Sequence, residues 1–165
     1  MPDFLEAETE ELALEKLHEM GCTDGLPVVI PTQERVERLI LATGLDGDMV
    51  LGEMGPGMGV ATIEKVCVAA VMAGCLPDYM PIVIAAVKAA VQPEFDLREL
   101  QATTHCTAPL IIVNGEARHS CGPVASGYGA LGPGHRANAS IGRACLLYTS
   151  PSPRDISGSR MPSSA

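Results

Sequence analysis

The chain has 165 residues, 47% hydrophobic and 19% charged, enough for one domain and excluding a wholly disordered or fibrous polypeptide. Aromatic residues make up 3% with no tryptophan, so a core must be built from Ala, Val, Leu, Ile and Met. The formal charge of -9, from 11 basic and 20 acidic groups, argues against nucleic acid or an anionic membrane as partner, because both need a basic face.

Residues 1–20 read as an acidic N-terminal helix. Leu5, Leu12, Leu17 and Met20 recur among glutamates from Phe4 to Met20, and Gly21 fits the left-handed stop that follows a helix. Its acids are expected to form a solvated face, the alternative being an acidic interaction arm. Val28-Val29-Ile30 is a β-branched run fenced by Pro27 and Pro31, hence an edge strand at most. Thr32 is placed to cap a helix over Gln33 to Thr43, with Val36, Leu39 and Ile40 on one face and Gly44 as its stop. Gly52 to Gly59 reads as a flexible loop, suited to a lid.

From Thr62 one helix runs to about Gly74, and a second runs from Asp78 to about Gln92. Both are rich in Ala and Val and apolar almost all round, so this hairpin is expected to be a buried core or, over residues 62–92, a homo-oligomer interface. Asp96-Leu97-Arg98-Glu99 has the form of a capping box. Pro109-Leu110-Ile111-Ile112-Val113, closed by Asn114-Gly115, is the strongest strand signal. Glycine is dense from Gly122 to Gly142, where a helix starts at Ala137 and reaches about Ala144. The fold class expected is α/β or α+β, helix-rich, with a central apolar helical hairpin and a small sheet.

Composition changes at Cys145. The stretch Cys145 to Asp155 resembles the translation of a transposase sequencing adapter, and Ser159 to Ala165 resembles that of a flow-cell primer in the same frame, with Ile156-Ser157-Gly158 as the index between them. Residues 145–165 are therefore expected to be a non-native, disordered tail. Residues 21–144 then form a single globular domain, incomplete and truncated at its C-terminal side.

An odd number of native cysteines (Cys22, Cys67, Cys75, Cys106, Cys121), no Cys-x-x-Cys and an acidic N-terminus point away from a secreted disulfide framework and toward a cytoplasmic protein. No apolar run reaches the ~20 residues of a membrane span, since Leu76-Pro77-Asp78-Tyr79 interrupts the longest one.

Three clusters carry chemistry. Thr103-Thr104-His105-Cys106 precedes the apolar strand; a thiol beside an imidazole is a nucleophile and its base if the two meet in space. The bland alternative is a satisfied histidine and a small apolar filler. Cys22-Thr23-Asp24-Gly25 puts a thiol, a hydroxyl and a carboxylate on one tight loop, although turn formation alone explains Asp24. Gly132-Pro133-Gly134-His135-Arg136-Ala137-Asn138 is a glycine-rich turn entering a helix, where free N–H groups and Arg136 suit an anion. It matches neither the P-loop nor the dinucleotide fingerprint. His105, Cys106, His119, Cys121 and Asp24 are metal-ligating types without metal-site spacing, so neither a metal nor a cofactor is expected.

Several of these motifs occur together in one family. Thr23 to Val29, Gly74-Cys75-Leu76-Pro77, Gln101 to His105, Pro109 to Gly115 and Gly132 to Ala139 resemble a prokaryotic family associated with, or fused to, a small thiol or selenol domain bearing a U-G-S-C motif. The similarity covers about Gly21 to Ala144. This chain has no Cys-Gly-Ser-Cys, so the resemblance implies a redox domain acting in cis from a missing segment or in trans.

The function expected is a thiol-linked enzyme, redox or acting on a small anionic or carbonyl substrate. Cys106 or Cys22 is its nucleophile and His105 its base. Thr23, Asp24, Thr103, Thr104, Gly134, Arg136 and Asn138 hold the ligand. The competing expectation is a non-catalytic substrate-binding or scaffolding subunit that docks the redox domain.

Overall fold

A computed structural model describes residues 5–102 and 108–149. The first helix, α1 (Glu10–Glu19), starts later than the hydrophobic spacing predicts, because the Thr9 hydroxyl accepts from the Leu12 amide at 3.2 Å and sets the N-cap there. Helix α2 (Gln33–Thr43) has the expected bounds: Thr32 caps it, and Gly44 ends it at φ 64°.

Residues 52–59 are not simply a loop. They join β1 (Val50–Met54) to β2 (Gly59–Thr62) in an antiparallel ribbon, with Val50 opposite Thr62 and Met54 opposite Gly59. Glycine density hid the short strands on either side. The ribbon has a reason to exist, since Met54 and Ala61 are buried against the helices.

Helix α3 (Ile63–Met72) follows directly. The Thr62 hydroxyl accepts from the Lys65 amide at 3.3 Å, while the Ile63 and Glu64 amides donate to the carbonyls of Met49 and Gly47. After a 3-10 turn at Pro77–Tyr79 comes α4 (Met80–Ala90), then a second 3-10 turn at Pro93–Phe95. The short α5 (Leu97–Ala102) and α6 (Ala117–Ser120) precede the last helix, α7 (Arg136–Thr149), which continues through Cys145.

Helix α3 sits at the centre, packed by α2, α4 and α7. Ile63, Val66, Cys67 and Ala70 meet Val36 and Leu39 of α2, Met80, Val83 and Val87 of α4, and Ala137, Ile141 and Ala144 of α7 in one core. The two halves of the predicted hairpin differ. Helix α3 is covered nearly all round, whereas α4 leaves Pro81, Ala85, Lys88 and Ala89 exposed in one stripe.

Two strand expectations fail. Val28-Val29-Ile30 joins no sheet, though the Val29 amide reaches the Met72 carbonyl at 3.1 Å. Pro109–Val113 joins none either: Ile111 and Val113 lie against the core, but no strand runs beside the segment among the described residues. Its continuous hydrophobicity reflects one face on the core and one exposed face, rather than burial inside a parallel sheet. The class is α+β, helix-rich, with one two-stranded sheet among the described residues. Among the described residues, no helix is long and apolar enough to cross a membrane.

Candidate functional site

Three of the sequence motifs converge on α7. The loop after α1 turns at Gly21 and carries Thr23 and Asp24. Asp24 closes its own turn by accepting from the Leu26 amide at 3.1 Å. Both of its carboxylate oxygens also accept from Arg143, Nε to Oδ2 at 2.8 Å and Nη2 to Oδ1 at 2.9 Å. This fork-to-fork pair clamps the loop to the helix, and Nη2 adds the Pro27 carbonyl at 2.9 Å. The Arg143 guanidinium holds the Asp24 carboxyl below its usual value of 3.8, against a smaller upward push from burial. Thr23 Oγ1 is 2.6 Å from His18 Nδ1, so this hydroxyl and imidazole are partners of each other.

The Gly74-Cys75 turn meets the same helix. Arg136 Nη2 donates to the Gly74 carbonyl at 3.0 Å, Ser140 Oγ donates to it at 3.4 Å, and the Cys75 thiol donates to the Ser140 carbonyl at 3.4 Å. Asn138 faces the glycine-rich segment. Its Oδ1 accepts from the Ala125 amide at 2.9 Å, while Nδ2 donates to the carbonyls of Ala125 and Ala130 at 3.0 and 2.9 Å. Gly134 sits in an exposed turn at φ 99°, with open space where a side chain would begin. Of the expected ligand-binding residues, Arg136 and Asn138 belong to α7, Asp24 is bonded to it and Thr23 to His18, so each holds a part of the protein. Thr103, Thr104, His105 and Cys106 lie outside the described residues.

The cysteines separate by environment. Burial pushes the thiols of Cys67 and Cys75 up to about 12 and that of Cys145 up to about 11. All three stay protonated near neutral pH and are poor nucleophiles. Cys121 is half-buried, and Cys22 is exposed beside the Asp24 turn. Among the described residues, no three His, Cys, Asp or Glu side chains are placed to hold a metal ion.

A concave feature lies elsewhere among the described residues. A cleft of about 500 Å³ opens between the exposed stripe of α4 and the segment 109–114. Pro81, Ala85 and Ala89 form one wall, Leu110 and Ile112 the other, and Phe95 an end; Gly142 and Cys145 of α7 also reach it. Its lining has no charged side chain, and the polar side chains there are the Asn114 amide and the Cys145 thiol. Asn114 has no hydrogen-bond partner among the described residues.

Neither Arg143 nor this cleft was singled out from the sequence. A lone arginine late in a glycine-rich region gives no sign of its partner, because 119 residues separate it from Asp24. For the cleft a signal existed: Pro81, Ala85 and Ala89 recur at helical spacing and are small, which marks a face where something approaches closely. Comparison with protein-family models, with curated proteins and with solved structures finds no match.

Proposed function

We propose that this protein is a substrate-binding subunit, and that its ligand is a small, uncharged, largely apolar molecule carrying a carbonyl. The observation that carries this reading is the cleft between α4 and residues 109–114. Its volume of about 500 Å³ lies in the range of small-molecule sites, and such sites combine apolar walls with a few polar groups. The free Asn114 amide is a donor for a carbonyl oxygen. An anion is disfavoured, since the cleft has no cation to offset its desolvation. The acidic surplus leaves nucleic acid and anionic membrane out of this reading.

The test uses the full chain and a neutral apolar fluorophore, N-phenyl-1-naphthylamine. Saturable fluorescence enhancement is expected, with affinity falling at least ~10-fold in Ala89→Trp, which places an indole in the cleft from an exposed position. No saturable binding, or undiminished binding to Ala89→Trp, sinks the proposal.

One observation favours a second reading, a cytoplasmic thiol-linked enzyme. Cys22 is the exposed cysteine among those described, and it sits on the loop that Asp24 and Arg143 fasten to α7. A thiol there is accessible to a substrate or to a thiol or selenol redox domain. Titration with a chromogenic disulfide checks this. The native protein should show a fast-reacting thiol that Cys22→Ser removes, and turnover with the redox partner should fall with it. Unchanged fast reactivity in Cys22→Ser ends this reading for Cys22.

A further inference from the structure

Residues 108–114 have no helix, turn or bend, and burial alternates from Leu110 to Asn114. Ile111 and Val113 pack against the core, whereas Leu110 and Ile112 are 70% and 72% exposed. This two-residue period is that of a strand with one face covered. Yet no backbone N–H or carbonyl from Pro109 to Val113 has a hydrogen-bond partner among the described residues. An apolar strand with unpaired backbone groups is a template for another strand.

We propose that the strand it takes is the same segment of a second copy, paired antiparallel about a two-fold axis at Ile111. The segment is suited to itself. It carries no charge from Ala108 to Asn114, so self-pairing sets no like charges opposite each other. An isologous contact needs a self-complementary patch, and an antiparallel strand pair centred on its own axis supplies one.

Pro109 fixes the register. Antiparallel strands alternate hydrogen-bonded and non-hydrogen-bonded residue pairs. With Ile111 opposite Ile111 as a non-hydrogen-bonded pair, Leu110 faces Ile112 of the other copy and exchanges both backbone bonds with it. Pro109 then falls opposite Val113 in a non-hydrogen-bonded pair, where its missing N–H costs nothing. The opposite phase would require a donor from Pro109. In the allowed phase the two exposed side chains, Leu110 and Ile112, meet across the axis and leave water together.

Sedimentation velocity on the full chain tests this. The wild-type chain should show a concentration-dependent dimer below about 100 µM. Ile112→Pro, which removes a donor the monomer does not use, and Ile112→Lys, which sets two cations near the axis, should each weaken it at least ~10-fold. Helical circular dichroism should be unchanged in Ile112→Lys. A wild-type monomer at about 100 µM overturns the proposal. So does a dimer that persists in both variants, which would place the interface elsewhere, such as residues 62–92. The cleft reading is tested through Ala89 and probe binding, so the two can fail separately.

Discussion

Asp24 and Arg143 make the best-formed side-chain ion pair among the described residues, with two parallel N–H to oxygen bonds and about a quarter of each side chain exposed. Partial exposure screens it, so removing one partner is expected to cost about 1 kcal/mol rather than the several that a buried pair would cost. Its pH dependence follows from the sign of the shift. The folded carboxyl is held below 3.8, so the pair stabilises the fold fully above that pH and loses its contribution as pH falls below about 4. Asp24→Asn should therefore lower the urea midpoint at pH 7, and the gap to wild type should narrow as the pH is lowered through 3.8 and further into acid. A gap that stays constant across that range would mean that the charge is not what holds the loop. The buried thiols show the same physics with the opposite outcome: desolvation dominates at Cys67 and Cys75, Glu64 adds to it at the first, Arg136 offsets only a little of it at the second, and both stay neutral.

Helix α7 organises the other elements. Ala137, Ile141 and Ala144 face the core, Arg136, Ser140 and Arg143 hold the loops at residues 74 and 24–27, and Asn138 ties down the glycine-rich segment before the helix. Asn138 replaces a missing ladder for a segment with little regular structure: it satisfies one amide and two carbonyls. Asn138→Ala leaves those groups to solvent and should destabilise the fold by about 1 to 3 kcal/mol, read from the urea midpoint. Asn138→Asp keeps the acceptor but loses both donor bonds, so it should recover only part of that. Equal stability of Asn138→Ala and wild type would remove the pinning role. The same helix shows where local reading stops. Its start near Ala137 followed from the glycine density before it, but the partners of Arg136, Ser140 and Arg143 lie 62 to 119 residues away in sequence.

Among the described residues, one aliphatic core fixes a single frame, and the cleft along α4 and the segment 109–113 remain open on it. They share Leu110 and Ile112, so a ligand in the cleft and a second copy on the segment would touch the same two side chains. Close packing also fixes details that composition does not show. Gly122, at φ 88°, lies directly against the Tyr79 ring, and any side chain there would collide with it. The amino-acid order by itself determined the helices that carry their own start and stop signals: Thr32 and Gly44 around α2, Thr62 before α3, and the Ala/Val-rich hairpin as the core. Those signals act over a few residues, through hydrogen bonds and backbone angles that neighbours in the chain settle. Tertiary structure alone decided that Asp24 belongs to Arg143, that residues 50–62 pair as a ribbon, that α4 keeps one face open and that Pro109 to Val113 joins no sheet among the described residues. Each of these depends on which distant surface arrives alongside, and hydrophobicity, being non-directional, records that a segment must leave water without recording what will cover it.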